Sequence, residues 1–126
     1  MGDGPHSRAA STYLRCRVYI QEHVTDLHTL DDIARRCHVD RAYLCRLFQR
    51  FDGRSPYQFL VRLKMNRAAE RLAQDDRLIK EVAAELGYAD PYHFSRVFKR
   101  VIGVSPKEFV GLSRRGTKLP ARDEAS

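Results

Sequence analysis

A chain of 126 residues has room for one compact domain and little more. Its 43% hydrophobic content can supply a core, while 23 Lys and Arg against 16 Asp and Glu leave a net charge of +7 that favours a polyanionic partner. The three cysteines, Cys16, Cys37 and Cys45, are odd in number, far apart and without a C-x-x-C; this excludes a disulfide framework and a cysteine zinc site and fits reduced cytosolic thiols. No apolar run approaches a membrane span and Met1–Ser11 lacks the apolar stretch of a signal peptide, so the expected location is cytoplasmic, with no membrane partner.

In chain order, Met1–Ser11 is rich in Gly, Ser and polar residues and reads as a linker or a cloning remnant. Tyr13–Val24 carries a helical stripe of Tyr13, Cys16, Ile20 and Val24, widened by Leu14 and Val18. Thr29-Leu30-Asp31-Asp32 has the form of a capping box, which predicts a second helix to about Cys37. His38-Val39 makes a turn, and Asp40 is the expected N-cap of a third helix reaching Phe51. Gly53 ends that helix; Ser55-Pro56 opens a fourth that continues to about Gln74 without an internal Gly or Pro.

Leu78–Leu86, a Gly87-Tyr88 turn and a helix from Asp90-Pro91 to Val101 follow, after which Gly103 closes one helix and Ser105-Pro106-Lys107-Glu108 caps the last. Beyond Leu112 the tail lacks apolar periodicity and is expected to be disordered. No strand pattern is present. The expected fold is all-α with about seven helices. The expected division is a linker or cloning remnant over 1–11, helical subdomains over 12–54 and 75–112, a linker helix over 55–74 and a tail over 113–126.

The chain repeats itself. Fifty residues on, Arg46 falls on Arg96, Phe48 on Phe98, Arg50 on Arg100, Gly53 on Gly103, Ser55-Pro56 on Ser105-Pro106 and Phe59 on Phe109. Upstream the shift is forty-nine, with Ile33-Ala34 on Val82-Ala83. At 100° per residue, Leu44, Leu47, Phe48 and Phe51 gather on one side of the third helix, and Ala42, Cys45, Arg46 and Gln49 on the other. In the second copy Phe94, Val97, Phe98 and Val101 form the inward stripe, and Tyr92, Ser95, Arg96 and Lys99 face out. The inward sets agree because both copies need the same packing. The outward sets differ except at the arginine, which suits two readers of different sequence.

The pattern Ile33-Ala34…Asp40…Leu44-x-Arg46-x-Phe48…Gly53-x-Ser55-Pro56 resembles the first helix-turn-helix of the AraC/XylS family of bacterial transcription regulators. The stretch Ile79…Val82-Ala83…Gly87-Tyr88…Asp90-Pro91-Tyr92-His93-Phe94-Ser95-Arg96-x-Phe98-Lys99…Gly103-x-Ser105-Pro106 resembles the family's second, more diagnostic motif. The resemblance spans Leu14–Leu112. It implies a tandem helix-turn-helix fold in which two recognition helices enter the major groove and a long central helix holds the bundles apart. It also implies base contacts from Ala42, Cys45 and Arg46 and from Tyr92, Ser95 and Arg96, to which the outward faces add Gln49 and Lys99. A central helix of roughly 30 Å compares with about 34 Å between successive groove faces. The implied function is sequence-specific reading of double-stranded DNA as a nucleoid-associated transcription regulator, activator or repressor, with RNA polymerase as a second partner; the tandem repeat with its divergent faces points to an asymmetric site.

Arg46 and Arg96 can each donate two hydrogen bonds to guanine, worth about 1–3 kcal/mol of discrimination, or contact a phosphate instead. Tyr92 and Ser95 can contact bases directly or through water; Ala42 and Cys45 offer small, mostly apolar contact. Arg41, Arg50 and Arg100 flank the faces and are expected on phosphates. Asp40 stands where the family commonly has serine, and Cys45 is an unusual reader residue. His38 matches Gly87 and marks backbone geometry; His93 is expected as a packing residue and Cys37, matching Leu86, as core.

His6, His23 and His28 form no ligand cluster. No Cys–His or Ser–His–Asp set, phosphate-binding glycine loop or metal set is recognisable, so no enzymatic activity, metal or cofactor is expected. The alternative function is a module that docks acidic proteins or polymerase without reading DNA. The segment is expected to be monomeric. A preceding sensing or dimerising domain is expected to be missing, as in an excised C-terminal domain, with a stand-alone regulator as the other possibility.

Overall fold

The structure is a computed structural model that describes residues 5–74 and 77–114. Every regular element among the described residues is an α-helix: α1 Pro5–Glu22, α2 Leu30–Cys37, α3 Arg41–Phe51, α4 Pro56–Gln74, α5 Ile79–Glu85, α6 Pro91–Ile102 and α7 Pro106–Arg114. The fold is two helix-turn-helix units, α2–α3 and α5–α6, joined by the longer α4. By contacts the chain divides into two compact units at Leu63/Lys64, inside α4.

Local chemistry sets most of the helix boundaries. Thr29 Oγ1 accepts from the Asp32 N–H at 3.0 Å while Asp32 Oδ2 accepts from the Thr29 N–H at 3.2 Å, a closed capping box for α2. Loss of solvent raises the Asp32 carboxyl, but hydrogen bonds from Arg35 and from the His28 and Thr29 amides together outweigh it and hold the group below the usual range. Asp40 caps α3 by accepting from the Ala42 and Tyr43 amides, and Asp90 caps α6 by accepting from Tyr92. Ser55 with Gln58 starts α4 through the same reciprocal pair of bonds that Ser105 and Glu108 use to start α7.

The α2–α3 turn passes through His38 at φ 56°, and the matching turn of the second unit through Gly87 at φ 92°. Both backbones are left-handed, which glycine adopts freely and histidine does not.

The first unit packs Ala9, Tyr13, Cys16 and Ile20 of α1 against Ile33, Ala34 and Cys37 of α2, Leu44, Leu47 and Phe48 of α3, and Phe59 and Leu60. The second buries Met65, Ala68 and Leu72 with Val82, Ala83 and Leu86, and Phe94, Val97, Phe98 and Ile102 with Phe109. The ring pair Phe48–Phe59, with centroids 5.5 Å apart, has its counterpart in Phe98–Phe109 at 5.7 Å.

Several expectations are corrected. Helix α1 begins at Pro5, so the supposed linker is helical from there, and Ala9 extends the buried stripe one turn upstream. Leu14 and Val18 do not widen that stripe; they lie 54% and 46% exposed, because α2 and α3 cover only the Ala9–Tyr13–Cys16–Ile20 arc. Phe51 is exposed along one edge while its ring stacks on Tyr13 at 5.2 Å, and Ile102, not Val101, completes the buried face of α6. Helix α7 continues to Arg114, two residues into the expected tail; residues 115–126, where disorder was expected, lie outside the described residues, as do Met1–Gly4.

Candidate nucleic-acid interface

Each helix-turn-helix unit holds its second helix by one buried edge and leaves the opposite edge bare. On α3, Leu44, Leu47 and Phe48 are buried, while Ala42, Arg46 and Gln49 are exposed and Cys45 is half-buried. On α6, Phe94, Val97 and Phe98 are buried, Tyr92, Arg96 and Lys99 are exposed and Ser95 is half-buried. Each outward set therefore lies together on one helix face, and the two faces match position for position.

The basic residues differ in how they are held. The Arg46 guanidinium lies 5.8 Å from the Tyr43 ring centroid and that of Arg50 lies 4.9 Å from the Phe51 ring. Such contact with a ring pre-orients the planar guanidinium. Arg41, expected on a phosphate, donates to Asp31 Oδ1 at 2.8 Å in an exposed ion pair. An exposed pair of this kind is worth about 0–1 kcal/mol, so it yields readily to a competing anion. Arg96, Lys99 and Arg100 are exposed. His93 is exposed rather than packed inside, with its ring edge-on to Tyr88 at 5.4 Å.

Two basic residues, one inside each unit, were not apparent from the motifs. Arg15 Nη1 donates to the Cys37 carbonyl at 2.8 Å, and Lys64 Nζ donates to the Leu86 carbonyl at 2.8 Å. The acceptors sit at the ends of α2 and α5, where carbonyls lack helical partners and a positive charge is favourable. The sequence signal was the same forty-nine-residue shift that relates Ile33 to Val82, extended upstream to Arg15 and Lys64. In the core of the first unit, Cys37 is hydrogen-bonded to Cys16 and buried, and together these hold its thiol far above the usual range.

Among the described residues no group of His, Cys, Asp and Glu is placed to hold a metal ion, and no helix is long and apolar enough to cross a membrane.

The sequence pattern of the family described as helix-turn-helix domain matches residues 33–111. The chain is similar to the C-terminal domain of AraT, a response regulator from Geobacillus stearothermophilus, at 34% identity and a TM-score of 0.75, covering 90% of this chain and 91% of that one. It shares its fold with the DNA-binding domain of the global transcriptional factor AdpA, seen in complex with a target DNA, at 24% identity and a TM-score of 0.74 over 84% of this chain and 97% of that one. It is 31% identical over 98 residues to the MmsAB operon regulatory protein of Pseudomonas aeruginosa, covering 78% of this chain and 32% of that protein. The chain spans about a third of the length of the curated relatives it matches. These relatives bear the names of regulators. The chain belongs to the helix-turn-helix domain family and has the DNA-binding fold of bacterial transcription regulators.

Proposed function

We propose that this domain is of the AraC/XylS type and reads double-stranded DNA with two recognition helices, α3 and α6, placed in adjacent major-groove segments. The observation that carries the reading is the exposure, in register, of Arg46 and Arg96 on otherwise divergent helix faces. The arginines donate to guanine edges or phosphates; Ala42, Cys45 and Gln49 read beside one, and Tyr92, Ser95 and Lys99 beside the other. Arg50, Arg100 and, once released from Asp31, Arg41 take phosphates. Because the faces differ, a single copy reads an asymmetric site. By the same family resemblance, RNA polymerase is the proposed second partner and activation in the nucleoid the proposed role.

Selection of bound duplexes from a random pool, followed by sequencing, tests the reading. The expected result is one asymmetric motif with two conserved blocks. Absence of any enriched sequence, together with retention of acidic proteins or polymerase, would replace it with a protein-docking module.

A further inference from the structure

The two units differ at the notch between the starts of their paired helices. In the first, Arg41 at the start of α3 reaches Asp31 at the start of α2, and the 2.8 Å ion pair spans the notch. In the second, Pro91 and Lys80 stand at the matching positions, and proline has no charge to offer. What remains is an open groove lined by Leu78, Ile79, Lys80, Pro91, Tyr92 and Ser95.

Leu78 is out of place by ordinary helix chemistry. It is the N-cap of α5, where the first unit has Thr29. Leucine has no oxygen to offer the helix amides and ranks among the poorest caps. Only the return half of the box survives, with the Leu78 N–H donating to Glu81 Oε1 at 3.0 Å. The side chain is 55% exposed, and Tyr92 across the groove is 77% exposed. Two large apolar side chains are thus held in solvent, and one of them, Leu78, stands at a cap where a polar residue would serve the fold better.

The groove opens on the outward face of α6, since Tyr92 and Ser95 belong to both. On that face the one apolar group that a base pair presents in the major groove is the 5-methyl of thymine. Lys80 at the rim supplies charge for the adjoining phosphates. We infer that the groove receives a thymine 5-methyl group, so that Leu78 and Tyr92 determine specificity at one base pair of the α6 half-site. This rests on the proposed reading of DNA by α6, and it adds a residue outside the recognition helix to that reading.

The test replaces each thymine of the selected duplex, one at a time, by 2′-deoxyuridine, which removes the methyl group and preserves pairing. At one position in the α6 half, affinity should fall about three- to tenfold, the scale of one buried methyl. Leu78→Thr restores the cap oxygen that Thr29 supplies in the first unit, so it keeps the helix start while removing the apolar wall. That variant should bind the thymine and deoxyuridine duplexes equally. Equal affinity of the parent protein for every deoxyuridine duplex overturns the inference and leaves DNA reading intact. So does undiminished discrimination by Leu78→Thr; if that variant also loses RNA polymerase, the groove belongs to a protein partner. Failure to enrich any duplex overturns both.

Discussion

Arg15 and Lys64 make the same bond in the two units: each donates, twenty-two residues along the chain, to the carbonyl at the end of the first helix of a helix-turn-helix pair, at 2.8 Å. The burial differs. Arg15 is exposed, whereas Lys64 is 4% exposed and is the one charged residue in the described core.

That difference decides the size of the effect of losing each. Lys64→Met removes the donor from a buried carbonyl that water cannot easily reach, and should destabilise the protein by about 1–3 kcal/mol. Arg15→Met frees a carbonyl closer to solvent and should cost about 0.5–1.5 kcal/mol. Chemical denaturation of both variants checks the order; equal losses would show that burial does not set the cost.

His38 holds a left-handed backbone at φ 56° where the second unit uses Gly87. Left-handed geometry costs an ordinary residue roughly 1–2 kcal/mol, and glycine's extra freedom when unfolded returns roughly 0.5–1 kcal/mol of that. His38→Gly should therefore raise stability by a few tenths to about 1 kcal/mol. Gly87→Ala should lower it. Thermal melts with opposite shifts for the two variants are the expected outcome.

Arg46→Ala and Arg96→Ala should each weaken specific DNA binding by about 1–3 kcal/mol, at different ends of the site. Footprints of the two variants on the selected duplex check this. Loss of protection over the same half in both would contradict two separate readers.

Binding should weaken steeply with salt, because neutralised phosphates release counterions. The exposed Arg50, Arg96, Lys99 and Arg100 supply that charge. A plot of log affinity against log salt should be linear and descending, and Arg100→Ala should flatten its slope by about one unit.

Cys45 is half-buried on the outward face of α3, while Cys16 and Cys37 lie inside. Brief alkylation of the folded protein should modify Cys45 alone and abolish DNA binding. Cys45→Ser should resist the treatment, and bound duplex should protect the thiol. Normal binding by fully modified, folded protein would place Cys45 away from the groove.

The helix boundaries were legible in the sequence because caps are local. Thr29 with Asp32, Asp40, Asp90, Ser55 with Gln58 and Ser105 with Glu108 act within three residues of themselves, so their spacing alone marks the helix starts. The outward faces of α3 and α6 were legible for a related reason: helical periodicity fixes which side a residue takes once one stripe is known to be buried.

Periodicity cannot say how wide an arc the neighbouring helices cover. Leu14 and Val18 look like core by composition, and only the placement of α2 and α3 leaves them in solvent. Nor can it find partners far along the chain. The bonds from Arg15 and Lys64, the Arg41–Asp31 pair and the groove beside Leu78 each join residues at least ten positions apart. The sequence by itself determined seven helices, two matched outward faces and the residues on each. Tertiary structure decided which arginine is held in an ion pair, which lysine is buried and where an apolar groove opens, because those outcomes depend on distances that only packing sets.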